Sequence, residues 1–324
     1  MRLTQRWQRL HQRWQHRTSS NGAARSLAGL PKPTANGWYA GGDYERLSRV
    51  VLTSEVSRTL FDEYQAHRAS PRGDEEIGWL LLGVRSQAEA IVLASLPAGT
   101  SRDAGHSHVR FDHVAQTLAY RVLRQWDRRL KLLGVVHTHP GNLHRPSDAD
   151  YQGDSEWVEQ LPGQEGIFAI GTSDAPTPPN EYAGVVWHPR PHLQCWEGLR
   201  FSWYALVAGD RDYRPVPVEV HVGEDLAQPL RAVWPQLERH AGRLERLAQQ
   251  LARVQFEIMQ DGGAEVLCLT IPLAESNGAI RVWLEEDQVR YLLQRGDEVS
   301  VADCAESSVD RAVYLILAEL AADG

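Results

Sequence analysis

The chain has 324 residues, of which 42% are hydrophobic and 23% are charged, proportions typical of a globular protein. Its net charge of -8 argues against a nucleic-acid partner, and no apolar run approaches the ~18 residues that a membrane span needs. The three cysteines are scattered without a CxxC pair, so we expect a reducing, cytoplasmic setting with neither a disulfide framework nor a thiolate metal site.

Residues 1–45 are predicted to form a basic tail and linker. Leu3, Trp7, Leu10 and Trp14 fall on one helical stripe beside a stripe of arginines, which indicates a short amphipathic helix. A Ser/Asn/Gly/Pro-rich linker follows it. Three alternatives remain open for this helix: it docks on an acidic partner, it touches an anionic membrane surface, or it is a mostly disordered tail.

Between residues 46 and 222, short apolar runs alternate with amphipathic stretches. We predict strands at 50–52, 75–83, 90–94, 133–139, 167–171, 182–187 and 198–207. Helices are predicted at 55–67 with Ser54 as its N-cap, at 111–130, and from 147 onward. This order predicts a mixed α/β sandwich, in which helices pack on a curved mixed sheet.

Residues 223–324 are predicted to form a smaller α+β module. A long helix starts at Pro235 and keeps one apolar stripe as far as Ile258. A β-meander with a hairpin turn at Asn277-Gly278 follows, and Ser307 caps a final amphipathic helix. The module carries no metal-binding or nucleophilic pattern, so we expect it to serve in binding or dimerisation.

The residues with catalytic potential lie where an apolar strand ends. His137 and His139 are two positions apart, so in an extended strand both imidazoles project from the same face. Ser147 then opens a helix that carries Asp150. Two imidazoles and one carboxylate are the protein ligands of a catalytic zinc site, which keeps a fourth position for water. Taken separately, the histidine pair is compatible with chance, and Ser147-x-x-Asp150 with a helix-capping box.

Together these residues form the pattern His-x-His-Pro-x6-Ser-x-x-Asp, which resembles the signature of the JAMM (JAB/MPN+ type) zinc metallopeptidases. The resemblance covers residues 46–222. It implies the JAMM/MPN fold, a cytidine-deaminase-like sandwich, and one Zn²⁺ held by His137, His139 and Asp150.

The resemblance also implies a general base and an oxyanion donor. The base of the family is a glutamate seven residues before the glycine that ends an apolar strand. Gly83 ends such a strand here, so the matching residue is Glu76, and Glu75 is the alternative. Glu76 would take a proton from the zinc-bound water and return it to the departing amine, while the Ser147 hydroxyl would donate to the oxyanion.

The activity that this family implies is hydrolysis of the amide bond after the C-terminus of a ubiquitin-like modifier, in a bacterial conjugation pathway. Activating and conjugating enzymes would then be possible partners. The sequence leaves open whether the bond is an isopeptide or a linear one. Two alternatives are a zinc hydrolase of another amide substrate and a non-catalytic MPN scaffold. A second pair, His106 and His108, lies close to His113 in the sequence but has no following Pro or SxxD, and it is predicted to be a surface or cleft-lining feature.

Overall fold

A mixed nine-stranded β-sheet carries the histidine motif in the computed structural model of the protein. The structure describes residues 44–99, 103–105, 109–110, 113–182, 184–274, 278–286, 288–304 and 306–322. Contacts between residues divide the described chain into two units: a sheet unit of residues within 44–116 and 126–228, and a C-terminal unit of residues 117–125 and 229–322. The predicted tail, residues 1–45, lies almost entirely outside the described residues, and the predicted domain boundaries stay predictions.

Eleven strands and three helices lie in the sheet unit among its described residues, except that residues 117–125 of the second helix are grouped with the C-terminal unit. In chain order the elements are β1 (Arg49–Thr53), α1 (Ser54–Arg68), β2 (Gly78–Arg85), β3 (Glu89–Pro97), β4 (Asp103–Ala104), β5 (Val109–Arg110), α2 (His113–Trp126), β6 (Lys131–Thr138), α3 (Asp148–Trp157), β7 (Glu165–Thr172), β8 (Leu193–Trp196), β9 (Leu199–Val207), β10 (Arg214–Pro215) and β11 (Val218–His221). The sheet order is β10-β9-β7-β6-β2-β3-β1-β11, with β8 paired to β9.

This sheet combines parallel and antiparallel pairs. β6 runs parallel to β7, and β1 runs parallel to both β3 and β11, while β2 is antiparallel to β3 and β6. The predicted mixed α/β fold with flanking helices is therefore confirmed.

Helices cover both faces of the sheet, and two neighbouring residues of β6 show which helix packs on each face. Val136 belongs to a buried cluster with α1 residues such as Leu60 and Phe61. Val135 belongs to a second cluster, in which Val158 and other residues at the end of α3 take part. Because side chains two apart in a strand share a face, His137 lies on the same face as Val135, beside α3.

Strand β2 contains an irregularity in its pairing next to Gly83. Its pairing with β3 shifts register between Leu82 and Gly83, and its pairing with β6 shifts between Leu81 and Leu82. A Cβ atom on Gly83 would lie only 1.9 Å from the carbonyl oxygen of Ile91, so this position requires glycine. The strand predicted at 75–83 in fact begins at Gly78 and continues past the irregularity to Arg85.

The C-terminal unit is a five-stranded antiparallel meander with helices before and after it. Its elements are α4 (Gln228–Ala232), α5 (Trp234–Gln250), β12 (Gln255–Asp261), β13 (Ala264–Pro272), β14 (Gly278–Leu284), β15 (Val289–Arg295), β16 (Glu298–Ala302) and α6 (Val309–Ala322). An ion pair between Arg246 and Asp310, at 2.9 Å, joins α5 to α6. Helix, meander and helix follow in the predicted order.

The predicted long helix of this unit was wrong in its last third. Helix α5 ends at Gln250, and Ile258 lies on strand β12 instead. The reason is the Gly262-Gly263 pair: both residues have positive φ, 62° and 93°, and form a two-residue hairpin turn that pairs β12 with β13. The predicted hairpin turn at 277–278 falls partly outside the described residues.

Two further predictions in the sheet unit were wrong. Residues 182–187 form no strand among the described positions; Trp187 makes one isolated bridge to Cys195, on the short strand β8 that was not predicted. The N-cap of α1 is Thr53 rather than Ser54, since the Thr53 side chain accepts a hydrogen bond from the backbone N–H of Val56. Of the helices that the structure describes, none is long and apolar enough to cross a membrane.

Candidate metal centre

The end of strand β6 fixes both histidines. His137 is the register partner of Gly78 on one side and of Ile170 on the other. His139 lies just beyond the strand, where its backbone N–H donates to the carbonyl of Gly171 at 2.8 Å. The two residues are 8% and 6% exposed, respectively, so both imidazoles are shielded from solvent where the central strand β6 ends.

The start of helix α3 fixes the carboxylate. Ser147 is the N-cap, and its hydroxyl oxygen accepts a hydrogen bond from the backbone N–H of Asp150 at 3.2 Å. In return, the Asp150 carboxylate accepts from the backbone N–H of Ser147 at 2.6 Å. The capping box that the sequence offered as a structural explanation is therefore present, and it also orients Asp150.

The three predicted ligands come together. The Nε2 atoms of His137 and His139 are 3.1 Å apart. Asp150 Oδ1 lies 3.1 Å from His137 Nε2, and Oδ2 lies 3.4 Å from His139 Nε2. Two ligand atoms bound at about 2.0–2.1 Å to one tetrahedral zinc ion are separated by about 3.3 Å. The spacing of these donors therefore fits one such ion, and among the described residues this is the one His/Cys/Asp/Glu cluster with metal-site geometry.

The hydrogen bonds around the ligands engage the atoms that would not bind a metal ion, His139 Nδ1 and Asp150 Oδ2. When the Nδ1–H of His139 donates to the carbonyl of Leu143 at 2.8 Å, the neutral ring has its lone pair on Nε2, the atom that faces the other ligands. The Ser147 hydroxyl and backbone N–H both donate to Asp150 Oδ2, which leaves Oδ1 for a metal ion. Ligands must be deprotonated to bind a metal, and these hydrogen bonds suit that form of His139 and Asp150.

Electrostatics also favour a cation at this position. Burial alone would lower the pKa of His137, but its hydrogen bond to Asp150 and the charges of Asp150, Asp154 and Glu76 raise that pKa overall. Burial alone would raise the pKa of Asp150, yet hydrogen bonds from His137, His139 and Ser147 bring it far below its usual range. The site thus holds an ionised carboxylate and stabilises positive charge.

The two candidate bases occupy different surroundings. Glu76 is 3% exposed, and its charge acts on His137. The Glu75 carboxylate instead pairs with the guanidinium of Arg72 at 2.6 Å near the surface. The Glu76 carboxylate is thus close enough to act electrostatically on His137, whereas Glu75 lies in a separate ion pair.

Ser147 is close to the ligands, but its hydroxyl is engaged. The hydroxyl donates to Asp150 Oδ2 at 2.8 Å. To donate to an oxyanion it would have to turn away from that carboxylate, so its proposed role stays a prediction. The second histidine pair, His106 and His108, lies outside the described residues.

Sequence reasoning missed a second carboxylate beside the ligands. Asp154 lies one helical turn after Asp150, and it accepts a hydrogen bond from the Tyr213 hydroxyl at 2.7 Å. Burial raises the pKa of Asp154 to about 7. The hydrogen bond from Tyr213 partly opposes this rise, and the negative charge of Asp150 adds to it. The i, i+4 spacing was a signal available in the sequence; Tyr213, distant along the chain, offered none.

Asp154→Asn should stabilise the metal-free protein at pH 8 more than at pH 5. Because the folded-state pKa is raised to about 7, native Asp154 holds its proton more tightly than the unfolded chain does, so stability is lost as pH rises from about 4 to 7. Asparagine cannot ionise, so we expect the free energy of unfolding of Asp154→Asn, relative to wild type, to increase by about 3 kcal/mol from pH 5 to pH 8. Thermal unfolding of chelator-treated protein measures this; the exposed Asp212→Asn should show no such pH dependence. A loss of stability in Asp154→Asn at both pH values would contradict the prediction.

Comparison with known proteins identifies the domain that carries this centre. The family model of prokaryotic homologs of the JAB domain matches residues 57–188, a range that contains every predicted site residue. Residues 57–188 therefore form a JAB domain. This JAB domain is a member of a family that includes metal-dependent isopeptidases.

Similarity to whole proteins is low. Among solved structures, the solution structure of protein DSY2949 from Desulfitobacterium hafniense matches with 16% identity and a TM-score of 0.34. The match covers 53% of this chain and 94% of that one. No curated protein matches the chain.

Proposed function

We propose that the protein is a zinc-dependent isopeptidase that cleaves the amide bond after the C-terminus of a ubiquitin-like modifier, in the bacterial cytoplasm. The observation that carries the proposal is the convergence of His137, His139 and Asp150 at separations of 3.1–3.4 Å within a JAB domain. Glu76 is buried, and its charge acts on His137.

The residues around the metal divide the chemistry between them. His137, His139 and Asp150 would hold a zinc ion, which would supply a water with its pKa lowered to ~7 and a Lewis acid for the substrate carbonyl. Glu76 accepts the proton of the attacking water and passes it to the departing amine, which must leave protonated. The low exposure of Glu76 strengthens these electrostatic effects, because bulk water does not screen its charge.

Ser147 is the proposed donor to the tetrahedral oxyanion. It lies at the N-terminus of α3, where the helix dipole also favours negative charge. The hydroxyl must exchange its bond to Asp150 for one to the oxyanion during the reaction. Asp150 would keep the bond from the Ser147 backbone N–H, so its orientation does not depend on the hydroxyl.

The choice of a ubiquitin-like substrate is supported by the family and by no residue of this chain alone. The test uses zinc-loaded, full-length protein and two fusions, in which ubiquitin or a bacterial sulfur-carrier protein precedes a short peptide. We expect mass spectrometry to find cleavage directly after the modifier, and chelation to stop it. Zinc-loaded protein that leaves both fusions intact while hydrolysing an unrelated amide would favour the other-substrate alternative. Protein that binds no zinc would contradict the proposal as a whole and favour a scaffold.

A further inference from the structure

The loop between His139 and Ser147 is attached to the sheet at His144. Tyr204 on β9 donates its hydroxyl to the backbone carbonyl of His144 at 2.9 Å. The tyrosine is 6% exposed, so water competes little for this hydrogen bond. No step of the proposed chemistry uses it.

The ring of His144 is bonded from two sides. Its Nε2 lies 3.2 Å from Asp174 Oδ2, and its Nδ1 bonds to the Arg200 guanidinium. A guanidinium has only donors, so Nδ1 must accept, and Nε2–H donates to Asp174. Arg200 completes the triangle with an ion pair to Asp174 at 3.1 Å.

The triangle formed by His144, Asp174 and Arg200 lies at the paired ends of strands β7 and β9. Thr172, the last residue of β7, is the register partner of Arg200 on β9. Its hydroxyl donates to Asp174 Oδ1 at 2.8 Å. Both partners of the His144 ring are therefore held by paired strands, which are more rigid than the loop that they hold.

The residue before His144 contacts a metal ligand. The carbonyl of Leu143 accepts the hydrogen bond from His139 Nδ1–H at 2.8 Å. The Leu143 side chain is 50% exposed and gives the loop little anchoring of its own. The position of this carbonyl thus depends on how firmly the next residue is held.

We propose that Tyr204 and His144 are positioning residues for His139. By fixing the Leu143 carbonyl, they hold the His139 ring in the orientation and tautomer in which Nε2 binds a metal ion. Partners that orient a metal-bound histidine typically change metal affinity 10- to 100-fold. The proposal rests on the proposed zinc centre, and its test measures zinc binding rather than catalysis.

The experiment compares two Tyr→Phe variants of the full-length chain. Tyr204→Phe removes the hydroxyl that holds the His144 carbonyl. Tyr151→Phe removes a matched hydroxyl, which donates to the carbonyl of Asp210 at 3.1 Å. Zinc dissociation constants are measured by competition with a chromophoric chelator. We expect Tyr204→Phe to bind zinc about 10-fold more weakly than wild type, and Tyr151→Phe to match wild type.

Substitutions of His144 add a readout that loss of packing would not reproduce. His144→Ala should weaken zinc binding about 10-fold, whereas His144→Gln keeps both a donor and an acceptor and should restore most of the affinity. Wild-type affinity in both Tyr204→Phe and His144→Ala would overturn the positioning role and leave the zinc centre intact. Equal losses in all four variants, the tyrosine control included, would also overturn it. Wild-type protein without zinc affinity would instead contradict the proposed function.

Discussion

Glu76→Gln should abolish nearly all hydrolysis and leave zinc binding unchanged. Glutamine keeps the size and polarity of the side chain but cannot accept a proton from water or deliver one to the departing amine. General acid–base residues contribute about 10²- to 10⁴-fold to rates, so we expect kcat to fall by that factor. Cleavage of the modifier fusions measures the rate, and mass spectrometry of the metal measures zinc content.

Glu75→Gln is the matched control for this change. It neutralises the neighbouring carboxylate, which pairs with Arg72 at the surface, and we expect activity close to that of wild type. If Glu75→Gln lost activity and Glu76→Gln kept it, the proton would move through the other acid. A fully active Glu76→Gln would contradict the assignment of the base.

His137→Ala should remove zinc from the protein and activity with it. Structural zinc sites bind with about 10–16 kcal/mol, so loss of one of three protein ligands should weaken affinity by on the order of 10³-fold or more. Because a ligand that binds only the folded state stabilises it, zinc should raise the unfolding temperature of wild type and not that of the variant. Metal analysis after dialysis and thermal unfolding with added zinc provide the two measurements.

His221→Ala controls for loss of a histidine as such. Its side chain is about half exposed and lies near Glu219, on the edge strand β11. We expect this variant to keep its zinc and its thermal response. A His137→Ala protein that retained one equivalent of zinc would show that the metal is held by other residues.

Local pattern predicted most elements of the sheet unit. The apolar runs that became β1, β3, β6, β7 and β9 were evident because strands buried on both faces read as continuous hydrophobic segments. Errors arose where a pattern fitted two structures. Ile258 continues a helical stripe, yet the Gly262-Gly263 turn and the pairing partner on β13 place it in a strand.

In the candidate site, too, local sequence predicted some features and could not predict others. His137, His139 and Asp150 could be predicted because a short segment encodes all three, and strand and helix geometry bring them together. The contacts of Tyr204 and Tyr213 could not, since each joins positions about 60 residues apart in the chain. Such contacts are set by strand order in the sheet, and strand order is a property of the complete fold.

The irregularity in β2 separates the residues whose number fixes the position of Glu76 from those whose number does not. Residues 78–81 keep an unbroken register with residues 134–137 of β6, and the shift lies after Leu81. Since side chains alternate from face to face, removing one residue from 78–81 would carry Glu75 into the place of Glu76. Removing one residue beyond Gly83 would leave Glu76 where it is. A change in chain length on the Glu76 side of the irregularity would therefore displace the proposed base, whereas one on the Arg85 side would not.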